Sequence, residues 1–102
     1  MTPEGKEKKA LRKYLDDIGA FHFAPFMGGY GRSGYSDEIA CIKGCFWAFE
    51  VKAPGKEPTA LQRLRLTQAQ AAGGLVSWGT AEEIIEDVEA WLKKSAPPAE
   101  DR

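Results

Sequence analysis

Two short apolar segments in the middle of the chain restrict its fold most strongly. Asp37–Ile42 and Cys45–Lys52 have the composition of strands, and Lys43-Gly44 between them is a plausible two-residue hairpin turn. Apolar side chains fall on both faces of this hairpin, so both faces of its sheet need cover. The pattern predicts a layered α/β domain.

Patterns on either side of the hairpin supply the remaining elements. Helical spacing of apolar residues predicts a first helix between Thr2-Pro3 and Gly19. Thr59–Gln62 and Thr80–Glu83 are capping boxes that begin two further helices. Two more strands are predicted, at Phe21–Phe26 and Leu75–Gly79. The expected order is helix, three strands, helix, strand, helix, around a four-stranded mixed sheet.

The length of 102 residues allows one domain and is too short for two. We expect a single domain at residues 1–94 and a disordered tail at residues 95–102, which contain two prolines and little to bury. The net charge of −1 argues against a protein that wraps nucleic acid in positive charge. Residues 1–65 nevertheless sum to +3 and residues 66–102 to −4, so an anionic partner is expected to bind the first part.

Several features narrow the location and exclude some chemistries. No segment is long and apolar enough to span a bilayer, and the charged N-terminus lacks a signal-peptide pattern, which predicts a cytoplasmic protein with no membrane partner. Cys41 and Cys45 lack zinc-site spacing and are expected to be buried. His22, the single histidine, is expected to pack in the core or at a sheet edge.

One charged pair in the hairpin suggests a metal-binding or catalytic site. Glu50 and Lys52 share a face of their strand, and a two-residue turn places Asp37 directly opposite Glu50. Opposed carboxylates repel unless a cation offsets them, and Mg²⁺ or Mn²⁺ prefers such oxygen ligands. Lys52 can then pair with a phosphate or orient a water. The alternative is that Asp37 is a turn residue and the other two a solvated edge pair.

The order of several motifs resembles a known nuclease family. Gly31-Arg-Ser-Gly34-Tyr-Ser-Asp37, Phe49-Glu50-Val51-Lys52-Ala-Pro-Gly55 and Pro58-Thr-Ala-Leu-Gln62 are similar to the virus-type replication-repair nuclease (VRR-NUC) domain of the PD-(D/E)XK superfamily. The opening Pro3-Glu4-Gly5-Lys6 resembles small single-domain members from phages and bacteria. The resemblance covers residues 2 to about 79, but Ser36 stands where the family usually has proline.

This resemblance implies a fold and an activity. The fold is a restriction-endonuclease-like α-β-β-β-α-β core, here with an additional C-terminal helix. The activity is metal-dependent hydrolysis of DNA phosphodiester bonds, directed to branched DNA such as four-way junctions or flaps, by a homodimer that uses Mg²⁺ or Mn²⁺. The alternative is a catalytically inactive nucleic-acid-binding module that keeps the nuclease fold and belongs to a phage replication or repair complex.

The resemblance also implies roles for individual residues. Asp37 and Glu50 become the metal-binding carboxylates, Val51 the donor of a main-chain carbonyl to the metal, and Lys52 the catalytic lysine. Glu4 matches the acid of the first helix, with Glu7 one turn later as the alternative.

Gln62 matches the family glutamine that follows the catalytic strand. It is also the last residue of a capping box, where it can fold back onto the Thr59 amide and do nothing else.

Other residues near the site can be interpreted in two ways, as DNA contacts or as ordinary surface residues. Tyr30, Arg32 and Tyr35 lie in a glycine-rich loop, Met27–Ser36, where they can enter a groove or stack on an unpaired base, or be ordinary loop residues. Two basic groups can contact phosphates or be solvated helix faces; they are Lys8, Lys9, Arg12 and Lys13, and Lys56, Arg63 and Arg65.

Overall fold

The structure, a computed structural model, describes residues 1–25 and 34–95. The elements in chain order are α1 (Pro3–Asp17), β1 (Phe21–Phe23), β2 (Glu38–Ile42), β3 (Cys45–Val51), α2 (Ala60–Ala71), β4 (Leu75–Gly79) and α3 (Ala81–Ser95). The four strands form one sheet in the order β1-β2-β3-β4, antiparallel except for the parallel pair β3 and β4. The expected order of elements and the mixed sheet are confirmed.

Local chemistry sets the boundaries of the elements. The Thr2 side chain accepts a hydrogen bond from the Gly5 amide at 3.0 Å and so caps α1. Lys43 and Gly44 both have positive φ, 50° and 82°, as a tight hairpin turn between right-twisted strands requires. The Thr80 amide donates to Glu83 Oε1 at 2.9 Å, which closes half of the capping box that begins α3.

The main core lies between the sheet and the pair α1 and α3. Its buried side chains come from both helices and from the inner face of β2 and β3; the largest are Leu11, Leu15, Trp47, Phe49, Ile84 and Val88. The Trp47 ring stacks on Phe49 and meets the edge of Trp91. The α1 residues of this core, Leu11 and Leu15, belong to the C-terminal half of the helix.

The second face of the sheet is only partly covered, contrary to the expectation of full cover. The helix on this face, α2, packs mainly against β4 and β3. Phe21 and Phe46 therefore remain 72% and 47% exposed. Cys41, between them in register, is exposed too, and Cys45 is half-buried, so the expectation that both cysteines are buried was wrong.

Some predicted boundaries shift or fall outside the described residues. The predicted strand Phe21–Phe26 ends at Phe23, before Pro25, which lacks the N–H that a strand ladder uses. The last helix continues through Ser95, the first residue of the predicted tail, and residues 96–102 lie outside the described part. The loop residues Tyr30 and Arg32 also lie outside it. No helix in the two described ranges is long and apolar enough to cross a bilayer.

Candidate active site at the ends of β2 and β3

The hairpin register brings Asp37 to the end of β3, with a local irregularity. Ile39 pairs with Ala48 as the two-residue turn predicts, and regular pairing stops at Glu38 and Phe49. The Asp37 amide donates to the Phe49 carbonyl at 3.0 Å although Phe49 already pairs with Glu38, so Asp37 and Glu38 both lie opposite one residue of β3. Asp37 therefore does not pair with Glu50 through the backbone. Its Oδ2 instead accepts a hydrogen bond from the Val51 amide at 2.9 Å, which holds the carboxylate across the end of β3.

Glu50 has a buried carboxyl group with unmet hydrogen-bonding capacity. The residue is 1% exposed, and neither side-chain oxygen receives a hydrogen bond from residues 1–25 or 34–95. Burial, followed by the adjoining Asp37 carboxyl, raises the pKa of Glu50 to about 8. The Lys52 ammonium, 3.7 Å from Glu50 Oε2, opposes this rise. A buried acid kept close to a second acid and a lysine is an arrangement that recurs at catalytic sites.

Glu4 joins the site through Lys8, for which the sequence predicted only a place in a basic group on α1. Lys8 Nζ lies 3.1 Å from Glu4 Oε2 and 3.5 Å from Asp37 Oδ1. Burial lowers the pKa of Lys8, but the two carboxylates outweigh burial and leave the pKa above its ordinary value. The i,i+4 spacing of Glu4 and Lys8 was visible in the sequence; the contact with Asp37 depends on how α1 crosses the sheet.

Glu7, the alternative acid of the first helix, has a different role in the structure. Its Oε1 accepts a hydrogen bond from the Ala81 amide at 2.8 Å, at the first turn of α3. A carboxylate at a helix N-terminus satisfies a free amide and complements the helix dipole. Of the two candidates, Glu4 is the one that shares an ion-pair partner, Lys8, with Asp37.

Gln62 completes the capping box of α2. The Thr59 amide donates to Gln62 Oε1 at 2.8 Å, and the Gln62 amide donates to Thr59 Oγ1 at 3.2 Å. The side chain therefore has the capping role that the sequence analysis kept as an alternative, and its catalytic role stays a prediction.

His22 belongs to a charged network behind the site. Its Nδ1 lies 2.6 Å from Glu38 Oε2, and its Nε2 lies 2.7 Å from Asp16. Glu38 is buried, and its other oxygen accepts from Arg12 Nε at 2.9 Å. The expected edge position of His22 on β1 is confirmed. The network was not expected from the sequence because its members come from three separate elements.

Most residues of the two predicted basic groups have partners within the chain. Lys13 pairs with Asp17, and Arg63 pairs with Glu57 while its guanidinium lies 5.1 Å from the centre of the Trp78 ring. The Arg65 guanidinium lies 4.5 Å from the centre of the Tyr35 ring. Ion pairs of this kind compete with phosphate contacts but do not prevent them, since exposed pairs are weak.

The oxygen atoms at this site fit a hard divalent cation. Within the two described ranges, no group of three or more His, Cys, Asp or Glu side chains stands in a metal-binding arrangement. Two carboxylates do meet, however, and the donor-free oxygens of Glu50 beside Asp37 are the type of ligand that Mg²⁺ and Mn²⁺ prefer. The Val51 carbonyl and Glu4 remain predicted ligands.

These features define an α/β domain with two acidic residues and a lysine at adjacent strand ends. A solved structure described as a VRR_NUC domain superposes on this chain with a TM-score of 0.73 and 21% sequence identity, covering 93% of this chain and 99% of that chain. No protein-family model and no curated protein matches the sequence. The chain therefore has the VRR_NUC fold, which confirms the fold that the motif resemblance implied.

Proposed function

We propose that this chain is a metal-dependent endonuclease that hydrolyses DNA phosphodiester bonds. The observation that carries the proposal is the buried Glu50 carboxyl, which lacks a hydrogen-bond donor in the described chain and lies between Asp37 and Lys52. A buried polar group without a partner lowers the stability of the protein. Its presence is therefore best explained by a functional requirement, such as metal binding, that outweighs this loss. The VRR_NUC fold supports the same conclusion.

The residues of the site have two proposed roles: some would bind the metal ion, and Lys52 would act on the substrate phosphate. Asp37, Glu50, the Val51 carbonyl and Glu4 would hold Mg²⁺ or Mn²⁺. The bound cation would supply positive charge that polarises the scissile phosphate and favours ionisation of the attacking water. The Asp37 side chain is held for this task by the Val51 amide.

Lys52 acts on the substrate from the same face of β3. Its ammonium group donates hydrogen bonds to a phosphate oxygen or to the attacking water. Positive charge at this position stabilises the negative charge that develops on the phosphoryl oxygens. Gln62, in the first turn of α2, is proposed to assist from the other side of the site while it also caps that helix.

The substrate is proposed to be branched DNA, such as a four-way junction or a flap, cut by a homodimer in the cytoplasm of a bacterial or phage-infected cell during DNA repair. Two paired nicks require two sites, which a two-fold dimer provides. If a bound cation masks Glu4, Asp37 and Glu50, the other charges of residues 1–65 sum to +6. DNA affinity should therefore rise with Mg²⁺ and fall with monovalent salt.

A cleavage assay tests the proposal. Junction, flap and linear DNA are incubated with Mg²⁺ and with the wild-type protein, Asp37→Ala or Lys52→Ala. Each variant should cut at least 100-fold more slowly than wild type, a loss typical of removed electrostatic groups. The matched controls Asp17→Ala and Lys93→Ala change exposed charges away from the site and should cut normally. Undiminished cutting by both site variants would contradict the assignment.

One observation favours a second candidate, a DNA-binding module without turnover. Lys8 already pairs with both Glu4 and Asp37, which reduces the repulsion between acids in a site that binds no cation. Calorimetric titration with Mn²⁺ separates the two functions. Heat from binding to wild type that disappears in Asp37→Ala supports the nuclease; absent Mn²⁺ binding together with tight junction binding supports the module.

A further inference from the structure

A cavity of about 730 Å³ opens between α2 and the partly covered face of the sheet. Its walls come from β1, β2, β3, α2 and the segment before β2, and include Phe23, Tyr35, Ile39, Phe46, Arg65 and Gln68. These three aromatic residues remain 38% to 48% exposed, so part of each side chain can contact a ligand. The proposed catalytic chemistry does not use this space.

The cavity adjoins the candidate active site along one face of the sheet. Ser36, which also lines it, directly precedes Asp37. Ile39 pairs with Ala48, and Ala48 lies two residues before Glu50 on the same face of β3. Two residues along a strand span about 7 Å, so the cavity begins roughly one nucleotide away from the Glu50 carboxyl.

The cavity combines flat aromatic surface with a cation and an amide. The Arg65 guanidinium lies 4.5 Å from the centre of the Tyr35 ring, and Arg65 Nη1 donates to Gln68 Oε1 at 3.0 Å. Aromatic rings and guanidinium planes stack on nucleobases, and a side-chain amide can hydrogen-bond a base edge. A cation at the wall also complements the phosphate that accompanies each base.

We propose that this cavity binds one unpaired nucleobase of the substrate, next to the scissile phosphate, by stacking on Tyr35. The inference rests on the proposed function and adds a requirement to it: the substrate must present an unstacked nucleotide at the site of cleavage. Branch points and flaps offer such nucleotides at low cost, because their bases are already partly unpaired.

A second copy of the chain is the competing occupant of this face. An apolar protein interface over the cavity would bury Arg65 and has to offset the cost of removing its charge from water. A nucleotide, in contrast, carries a phosphate whose negative charge can offset the positive charge of Arg65. Phe21, farther along the same face, lies outside the cavity and is 72% exposed, so it provides a matched aromatic control.

An abasic scan tests the proposal. A flap substrate is prepared in versions that each lack one base near the junction, and cleavage by wild type is measured as kcat/KM. One position should lower kcat/KM about 5- to 100-fold, the effect expected for the loss of one base–aromatic stack. Tyr35→Ala should lose a similar factor on the intact flap and nothing more on that abasic flap. Tyr35→Phe, which keeps the ring, and Phe21→Ala should behave as wild type.

Each other outcome has a defined meaning. Cleavage without an abasic penalty at any position overturns the cavity proposal and leaves the nuclease standing. If wild type cuts nothing, binding of a 2-aminopurine flap replaces cleavage: fluorescence quenching by wild type and not by Tyr35→Ala supports the cavity, and equal quenching overturns it. If Phe46→Ser converts a dimer into a monomer in sedimentation while the abasic penalty is unchanged, a second copy covers this face and the proposal fails.

Discussion

The ammonium group of Lys8 lies 3.5 Å from Asp37 Oδ1, so a lysine of α1 neutralises a predicted metal ligand at the start of β2. The same ammonium group lies 3.1 Å from Glu4 Oε2. A divalent cation bound by these two carboxylates has to displace Lys8 or share the carboxylates with it, because both cations need the same negative charge. Lys8 is therefore a competitor for the site as well as a stabiliser of its metal-free form.

Lys8→Met should tighten Mn²⁺ binding about 2- to 5-fold, because a half-exposed ion pair that opposes binding is worth up to about 1 kcal/mol. The same variant should lower the melting temperature of the metal-free protein, since Glu4 and Asp37 lose their partner. Calorimetric titration and thermal unfolding measure the two effects. Lys9→Met, at the adjacent exposed position, is the control and should change neither. Weaker Mn²⁺ binding by Lys8→Met would mean that Lys8 supports the metal site.

Glu50→Gln should stabilise the metal-free protein while it abolishes metal binding. The pKa of Glu50 is about 8 in the folded chain against an ordinary value of 4.5, so the folded state holds this proton more tightly than the unfolded state. The contribution of Glu50 to stability is present below pH 4.5 and is lost as the pH rises through about 8. We expect the variant to be more stable than wild type by on the order of 1–2 kcal/mol at pH 9 and equal at pH 4.5.

Denaturant unfolding in the presence of a chelator measures this difference at the two pH values. Glu57→Gln, an exposed carboxyl in the loop before α2, is the control and should leave the pH dependence unchanged. An equal stability difference at both pH values would show that the carboxyl of Glu50 does not titrate in this range.

Local chemistry made most of the fold predictable. The capping box at Thr59 and the turn at Lys43-Gly44 each depend on residues that are close together in the sequence. The structure forms both at the predicted positions. The pair Glu50 and Lys52 was also predictable, because alternation along one strand needs no knowledge of other elements.

The parts that could not be predicted depend on contacts between distant elements. The irregular end of β2 shifts the Asp37 amide by one residue, which no pattern in the hairpin indicates. Exposure of Cys41 follows from the limited reach of α2 over the sheet. Side-chain partners from other elements, such as Lys8 for Asp37, depend on helix placement that periodicity alone does not give.

His22 should make the stability of the protein fall as the pH rises above 6.5. Burial lowers its pKa, but the hydrogen bonds and charges of Glu38 and Asp16 outweigh burial and raise the pKa above 6.5. The stabilisation is fully present below the unfolded pKa near 6.5 and is lost as the pH rises through the higher folded value. His22→Gln should remove this part of the slope.

The contribution of His22 is measured in a Glu50→Gln background, where the second group that titrates in this range is absent. Asp16→Asn should have a smaller effect than His22→Gln, because Asp16 is largely exposed and its charge is screened by water. A slope that is the same with and without His22 would exclude the histidine as its source.

Gln62→Ala and Thr59→Ala separate capping from catalysis. Both remove the capping box of α2, so each should lower the free energy of unfolding by about 1 kcal/mol. Only Gln62→Ala should also lower kcat on flap DNA, if the glutamine assists at the site as proposed. Equal kcat values for the two variants would assign Gln62 to the helix cap alone.

Glu4→Gln should mainly weaken metal binding, whereas Glu7→Gln should mainly lower the stability of the protein. Glu7 accepts a hydrogen bond from the Ala81 amide, so its loss leaves the first turn of α3 weaker by about 1 kcal/mol, with Mn²⁺ affinity unchanged. Glu4 pairs with Lys8, which also contacts Asp37, so the loss of Glu4 should weaken Mn²⁺ binding about 10-fold, near the lower end of the range for disrupted metal-site partners. Its effect on unfolding should be smaller, because the Glu4–Lys8 pair is partly exposed.

Thermal unfolding and Mn²⁺ titration of the two variants measure both quantities. If Glu7→Gln instead weakens Mn²⁺ binding while Glu4→Gln does not, the α1 acid of the site is Glu7, and α1 must turn on the sheet when the cation binds.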